Sequence, residues 1–298
     1  MRRAPAATPV RVDAALLRRW PLPMPGPDGD KEARGRVLII AGSREMPGAA
    51  ILAAHAALRA GAGKLCVATA ASVAGAVGCA VPEARVIALR ESAAGGVDPA
   101  EARRVAEDFD AALIGPGMLD ERAVHAFARA FLLRAGAAPV VLDATAMGLV
   151  CDGALPAGAQ VVLTPHAGEL AHLGIGDKES VLADGAGSAR AAAARFGAHV
   201  AFKAAVTHIA EPGGKVWRHR GGNVGLGVSG SGDVLAGLIA GLTARGADLA
   251  QAAVWGVALH ARAGEALARR RGPLGYLASE LAAEVPRLLA ALARRRTA

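Results

Sequence analysis

From residue 36 onward the chain alternates short apolar runs with longer helical stretches, and this alternation limits the fold more than any other feature. The short runs are apolar at successive positions, which is typical of strands that are covered on both faces. The stretches between them are long enough for crossover helices. The pattern predicts an α/β fold, in which a mostly parallel central sheet carries helices on both faces. The predicted strands are 37–41, 64–69, 85–89, 111–115, 139–144, 161–164 and 199–204.

The remaining elements fit around this sheet. Two runs, 207–211 and 215–219, flank a Pro-Gly-Gly turn and predict a β-hairpin near the sheet edge. Residues 1–35 predict a lead-in with one short helix, from Asp13 as N-cap through Trp20, and 36–298 predict a single domain. The predicted longer helices are 48–61, 101–108, 120–135, 185–196, 233–245, 248–271 and 276–293.

Composition narrows the range of partners. The net charge of +8 would fit nucleic acid or a membrane surface, but the arginines cluster at the two ends and only 3% of residues are aromatic. Side chains that stack on bases are therefore scarce, and we expect neither partner. No run approaches the ~20 apolar residues of a membrane span, and no apolar signal segment opens the chain. Three scattered cysteines predict buried thiols in a reducing cytoplasm rather than a disulfide framework or a metal site.

The segment from Gly221 to Asp233 concentrates glycine, with six glycines among its first twelve residues. An apolar helical stripe follows it from Val234. A loop of this kind leads into a helix N-terminus, where free backbone N–H groups and the helix dipole bind an anion, most often phosphate. A carboxylate beside such a pocket is repelled unless it takes part in the chemistry. We therefore expect the reaction to take place here, at Asp233.

Ligands of such sheets bind beyond the carboxyl ends of the strands, and several predicted strands end in residues with chemical potential. Each has a structural alternative as well. Each of Gly117, His166 and Lys203 could contact a ligand. The structural alternative is a tight turn for Gly117, a core position for His166 and a solvated surface position for Lys203. Glu169 suits the first turn of a helix or magnesium, and Asp143 a helix cap or support for a metal or the loop. These strand ends are 41–43, 115–117, 143–145, 164–169 and 203.

Taken together, the motifs resemble those of the ADP-dependent NAD(P)H-hydrate dehydratases, a family of the ribokinase-like superfamily. The resemblance covers roughly residues 8 to 290, and its most specific combination is TPH-x-GE with GN-x-G-x-x-x-x-GxGD. It implies a ribokinase-like three-layer sandwich. The motifs that carry it are AGS (41–43), PGA (47–49), GPG (115–117), LDATA (142–146), LTPHAGE (163–169), KAAVT (203–207) and GNVGLGVSGSGD (222–233).

The resemblance also implies a reaction. The S-forms of NADH hydrate and NADPH hydrate would be dehydrated with ADP as co-substrate, releasing AMP and phosphate after phosphorylation of the hydroxyl. Asp233 would be the base, and the backbone amides of Gly230, Ser231 and Gly232 would form an anion hole. Magnesium would accompany the nucleotide, with unassigned ligands. The hydrated nucleotide would contact Ala41, Gly117, His166 and Asp233, and the adenine nucleotide would contact Lys203, Ala204, Ala205, Val206, Thr207 and Gly232.

Two positions depart from the family pattern. Ala204 stands where glycine is usual, which would narrow any close approach of the nucleotide, and Ala167 replaces the usual proline. Many relatives carry an epimerase domain, for which the lead-in is too short, so we expect a separately encoded epimerase. We further expect a cytoplasmic homo-oligomer, a tetramer. The alternatives are a kinase of the same superfamily for a hydroxymethylpyrimidine, thiazole or pyridoxal alcohol, and a non-catalytic nucleotide-binding module.

Overall fold

The structure is a computed structural model that describes residues 8–26, 28, 30–153 and 155–293. Its strands form one sheet in the order β1-β10-β9-β8-β7-β6-β5-β2-β3-β4. The strands from β8 to β4 along this order are parallel, whereas β9 is antiparallel to both of its neighbours. The strands are β1 (Val10–Arg11), β2 (Arg36–Ile40), β3 (Lys64–Ala70), β4 (Ala84–Leu89), β5 (Ala111–Ile114), β6 (Val140–Leu142), β7 (Val161–Leu163), β8 (His199–Phe202), β9 (Val206–Ala210) and β10 (Val216–Arg220).

All seven predicted strands and the hairpin are confirmed, and β1 is an addition. This two-residue strand pairs in parallel with β10 at the sheet edge, so part of the predicted lead-in extends the sheet. The lead-in helix is confirmed too, since the Asp13 side chain accepts a hydrogen bond from the Leu16 amide at 2.9 Å.

Most of the predicted helices are also present. The stretch 101–108 is a correction, because it holds only a short 3₁₀ turn and the four-residue α4, and the positive φ of 65° at Asp108 excludes helix there. Helices α3, α6 and α7 were not predicted. The helices are α1 (Ala14–Arg19), α2 (Pro47–Arg59), α3 (Ala74–Ala80), α4 (Ala102–Val105), α5 (Glu121–Ala135), α6 (Ala167–His172), α7 (Lys178–Ala183), α8 (Gly185–Phe196), α9 (Ser231–Ala244), α10 (Leu249–Arg271) and α11 (Ala278–Ala293).

Alternate residues of each central strand face opposite layers of helices. In β2, Val37 and Ile39 join a core cluster that includes residues of α2, α9, α10 and α11. Leu38 and Ile40 join a second cluster, on the α5 and α8 side. Because both faces of the sheet are covered, the central strands β5, β6 and β7 have buried apolar residues at every position. The three-layer arrangement of the expected sandwich is thereby confirmed.

Close packing of α9 on α2 fixes the direction of α9. A Cβ placed on Gly237 would lie 2.3 Å from the Ala53 carbonyl oxygen, and one on Gly241 would lie 2.5 Å from that of Ala57. Only glycine allows this approach. The N-terminus of α9 follows the glycine loop. This packing holds it near the carboxyl ends of the parallel strands β2, β5, β6, β7 and β8.

The cysteines differ from expectation. Cys79 and Cys151 are exposed, and Cys66 is half-buried, so the prediction of buried thiols is wrong for two of the three. The two exposed residues lie at or near the C-terminal ends of short helical segments. Within the described ranges, none of the helices has the length and apolar character needed to cross a membrane.

Candidate active site

Side chains from three neighbouring strand ends meet around Lys203. Its Nζ lies 3.2 Å from Asp143 Oδ1, at the end of β6, and 3.8 Å from Glu169 Oε2, beyond β7. The Thr164 hydroxyl donates to the same Asp143 oxygen at 2.5 Å. The main chain adds a hydrogen bond of 2.7 Å from the Lys203 amide to the Pro165 carbonyl. The strand ends singled out in the sequence therefore form one polar cluster.

This cluster excludes one structural alternative for each of two residues, a solvated surface position for Lys203 and a helix cap for Asp143. Lys203 is not a solvated surface residue, because only 21% of its side chain is exposed. Burial alone would lower its pKa, but the negative charges of Asp143 and Glu169 outweigh burial and raise the pKa, so the ammonium is charged. Asp143 stands before a 3₁₀ segment without capping it. Its carboxylate holds Lys203 and Thr164 instead, and support for a metal or for the glycine loop remains a prediction.

The N-terminus of α6 is closed by its own side chains. His166 Nδ1 accepts from the amides of Gly168 (3.0 Å) and Glu169 (3.2 Å), and Glu169 Oε2 accepts from the His166 amide at 2.7 Å. This is a capping box. Glu169 thus occupies the first turn of a helix, one of its two alternatives, and a contact with magnesium remains a prediction. Because Nδ1 is an acceptor, the neutral ring carries its proton on Nε2. The His166 side chain is 58% exposed, so Nε2 is accessible to a ligand.

The N-terminus of α9 is open. Gly230 occupies the N-cap position at φ 86°, and no side chain caps the helix. The Ser231 amide donates to the Val228 carbonyl at 3.2 Å, which corrects the expectation that it faces an anion. Among the described residues, the amides of Gly230, Gly232 and Asp233 have no protein acceptor. These three donors are the ones available to a phosphate.

Asp233 is the half-buried carboxylate in this first turn. Burial raises its pKa to about 6, the negative charge of Asp143 raises it as well, and Lys203 lowers it. A Cβ placed on Gly232 would lie 3.4 Å from Lys203 Nζ, so the turn of α9 borders the polar cluster directly. A carboxylate with a pKa near neutrality next to free amides and a lysine is suited to accept a proton where an anion binds.

Ala41 and Gly117 lie at the adjacent strand ends. The Gly42 amide donates to the Pro116 carbonyl at 2.7 Å, which ties the ends of β2 and β5 together. Gly117 has φ 65°, and a Cβ there would lie 2.6 Å from the Ala49 Cβ at the start of α2. The tight-turn interpretation of Gly117 is therefore correct, and a ligand contact remains a prediction. Ala41 is only 1% exposed.

The predicted nucleotide segment forms the connection from β8 to β9. It begins at Lys203, includes Ala205 and Val206, and is closed by a hydrogen bond from the Thr207 hydroxyl to the Ala204 carbonyl at 3.3 Å. Ala204 is half-buried and packs against the second core cluster. Its φ is not positive, so alanine in the usual glycine position introduces no backbone strain. Contact with a nucleotide remains a prediction for all five residues.

One contact of this region was not predicted. His260, on α10, lies with Nε2 2.9 Å from Ser231 Oγ. No motif surrounds His260 in the sequence, and the two residues are 29 positions apart, so no local signal pointed to the pair.

A sequence model of the NAD(P)H-hydrate dehydratase family matches residues 37–287. The chain belongs to this family. It is 50% identical over 285 residues to an ADP-dependent (S)-NAD(P)H-hydrate dehydratase of Xanthomonas campestris, covering 95% of this chain and 97% of that one. It is 35% identical to a bifunctional NAD(P)H-hydrate repair enzyme of Thermofilum pendens, covering 91% of this chain but only 53% of that one.

Solved structures of the family share its fold. The ADP/ATP-dependent NAD(P)H-hydrate dehydratase of Bacillus subtilis, co-crystallised with ATP and Mg²⁺, superposes with a TM-score of 0.85 at 29% identity, covering 96% of this chain and 100% of that one. A ribokinase-like superfamily protein of Enterococcus faecalis gives 0.81 at 27% identity, covering 95% and 96%. The ribokinase-like fold expected from the motifs is confirmed.

Proposed function

We propose that this chain dehydrates the S-forms of NADH hydrate and NADPH hydrate with ADP as co-substrate, restoring NADH and NADPH. One observation carries the proposal. In a chain of this family, Asp233 stands in the first turn of an uncapped helix, beside free amides and next to Lys203. The activities of the Xanthomonas and Bacillus relatives, as their names state them, support the same reaction.

The proposed reaction proceeds in two balanced steps. Asp233 takes the proton of the substrate hydroxyl while that oxygen attacks the β-phosphorus of ADP, and the bond from this phosphorus to AMP breaks. Phosphate then leaves with the former hydroxyl oxygen, and a proton lost from the neighbouring ring carbon restores the double bond. The water removed from the hydrate therefore ends in phosphate. A pKa of about 6 leaves Asp233 ionised yet basic at neutral pH.

The charges of the site suit the transfer. The amides of Gly230 and Gly232 and the ammonium of Lys203 would stabilise the negative charge that develops on the transferring phosphoryl group. Asp143 holds that ammonium in place. His166 would orient the hydrated nucleotide through Nε2, the ring nitrogen that its capping role leaves available.

Magnesium fits the site as a companion of the nucleotide. In the described part of the chain, no group of three or more His, Cys, Asp or Glu side chains suits a metal. Asp143 Oδ2 and Glu169 Oε1, however, accept no hydrogen bond from the described residues. Mg²⁺ commonly binds one or two carboxylates together with waters and substrate phosphates. These two carboxylates would hold the ion, which would offset the phosphate charge.

The deciding experiment follows absorbance at 340 nm while the protein meets S-NADH hydrate, ADP and magnesium. We expect recovery of NADH with equimolar AMP and phosphate. No recovery, together with phosphorylation of a hydroxymethylpyrimidine, thiazole or pyridoxal alcohol, would establish the kinase alternative instead. Binding of ADP without turnover of any of these substrates would indicate a nucleotide-binding module.

Partners and location complete the proposal. We propose, from the family resemblance, that a separately encoded epimerase supplies the S-form. A homotetramer in the cytoplasm is proposed from the family resemblance. Light scattering coupled to size exclusion tests the tetramer, and cell fractionation tests the location.

A further inference from the structure

The hydrogen bond between α10 and the first turn of α9 has no role in the reaction proposed above. It joins His260 Nε2 to Ser231 Oγ at 2.9 Å. Ser231 is only 4% exposed. His260 lies deep in the protein, although part of its surface stays accessible. The bond therefore connects a long buried helix to the residue that stands between the free amides of Gly230 and Gly232.

The imidazole of His260 is neutral at physiological pH. Burial lowers its pKa to about 4, a hydrogen bond with the Ser231 backbone raises it, and the positive charge of Lys203 lowers it. A neutral imidazole keeps one donor and one acceptor, so the bond to the hydroxyl forms in either direction. His260 therefore acts through a neutral hydrogen bond rather than through a charge.

The first turn of α9 has little else to hold it. Its N-cap residue, Gly230, has no side chain that could cap the helix, and Gly232 follows two positions later. Glycine loses more conformational freedom on ordering than any other residue, so such a turn is intrinsically loose. Among the described residues, the contact with His260 is the only side-chain hydrogen bond made by residues 228–233. A side-chain cap would fix the turn but would also occupy the amides that an anion needs.

We propose that His260 is a positioning residue for the anion hole. By holding Ser231 between two glycines, it keeps the amides of Gly230 and Gly232 directed at one point while leaving them free. Donors fixed in advance stabilise developing charge without reorganisation. Loss of the tether therefore affects kcat and the affinity for ADP, and leaves the KM for the hydrated nucleotide nearly unchanged. The kinetic part of this inference rests on the proposed function.

A double-mutant cycle tests the proposal with His260→Leu, Ser231→Ala and the double variant. Misplaced catalytic groups cost up to about a hundredfold, and we expect each single variant to lower kcat about tenfold. Because both changes remove the same hydrogen bond, the kcat of the double variant should be no lower than that of the less active single variant. His260→Gln keeps a donor and an acceptor and should recover most of the loss. Multiplicative losses, or a kcat of His260→Leu within about twofold of the wild type, would overturn the proposal.

Controls separate positioning from general damage. His199 is another partly buried histidine, at the start of β8 and therefore at the opposite end of that strand from Lys203, and His199→Leu should keep the wild-type kcat. An equal loss of kcat there would count against a specific role of His260. If His260→Leu does not fold, Ser231→Ala decides alone, since a folded Ser231→Ala variant with wild-type kcat contradicts the proposal.

The same double-mutant cycle can be measured as ADP affinity by calorimetry, which requires no catalytic turnover. We expect a several-fold weaker Kd for each single variant and no further loss in the double variant. A wild-type protein that binds ADP but does not restore NADH would refute the proposed function, while the cycle in ADP affinity would still decide on His260. Unchanged ADP affinity in all three variants of such a protein would overturn the positioning role.

Discussion

Helices α6 and α9 both begin at the carboxyl ends of the parallel strands, but side chains cap the N-terminus of α6 and none caps that of α9. The first turn of α6 is closed by a reciprocal pair, in which His166 accepts two amide hydrogen bonds and Glu169 accepts one. The first turn of α9 has glycine at its N-cap and no side-chain cap. A closed turn is stable by itself, whereas an open turn keeps its amides for a ligand. The anion is therefore expected at α9, and at α6 we expect only a contact through His166 Nε2.

The two helix turns also differ in what surrounds their acidic side chains. Asp233 stands in the open turn, where burial raises its pKa to about 6. Glu169 stands in the closed turn, where it accepts an amide and lies 3.8 Å from the Lys203 ammonium. Glu169 is thereby engaged in closing its own helix turn. Two acidic residues at equivalent helix positions thus acquire different roles from their surroundings.

Among the substitutions that test this difference between α6 and α9, Asp233→Asn is expected to have the largest effect. The amide cannot take the hydroxyl proton, so kcat should fall at least about a hundredfold, as is usual when a general base is removed. ADP affinity should stay at or above the wild-type value, since a negative charge near the phosphates is removed. Steady-state kinetics and calorimetry measure the two quantities. Comparable turnover in both proteins would refute the role of Asp233.

Acid should reduce activity next most strongly. Asp233 must be ionised to act as a base, so with a pKa of about 6 kcat/KM should fall about tenfold for each pH unit below that value. The folded pKa of Asp233 exceeds its usual value of 3.8, so protonation favours the folded state. The destabilisation from this group therefore grows as the pH rises from about 4 to about 6 and stays constant above that. The pH profile of Asp143→Asn provides the check. Removing that negative charge should move the acid limb to lower pH, and an unmoved limb would contradict the assignment.

Opening the closed turn should have a smaller effect. His166→Ala leaves the amides of Gly168 and Glu169 without their acceptor, which should lower the free energy of unfolding by about 1 kcal/mol. His166→Asn is the matched variant, because asparagine caps a helix well but lacks the Nε2 group. Urea denaturation should show restored stability in His166→Asn, while the KM for the hydrate stays raised in both variants. A normal KM in His166→Asn would mean that His166 only caps.

The smallest expected effect comes from filling the open turn. Gly232→Ala favours helix and should raise the free energy of unfolding by up to about 1 kcal/mol. The new methyl group, 3.4 Å from Lys203 Nζ, should at the same time weaken ADP binding several-fold. Gly75→Ala is the control, since Gly75 is likewise the second residue of its helix, α3, with nothing within 4 Å of an added Cβ. Stabilisation with unchanged ADP affinity is expected there, and the same result for Gly232→Ala would contradict the placement of the phosphate.

Much of this molecule could be predicted from the sequence because its signals are local. Apolar runs such as 37–41 identified the strands, and the Pro-Gly-Gly turn identified the hairpin of β9 and β10. Elements without room for a pattern were missed. Helices α6 and α7 have six residues each and β1 has two, which is too short for an apolar stripe or an alternation to develop.

The sequence by itself determined the strand ends on which chemistry could stand, the glycine loop and, through the motifs, the family. Only the tertiary structure decided what each of these residues does. Lys203 is a mostly buried ion-pair partner because Asp143, 60 residues away in sequence, lies at the end of β6, two strands from β8 in the sheet. Asp233 has its raised pKa because the fold buries its carboxyl and brings the negative charge of Asp143 near it. Ser231 has its tether because the fold brings His260 beside it. Burial and charge depend on neighbours in space, and the order of strands and the packing of helices alone specify those neighbours.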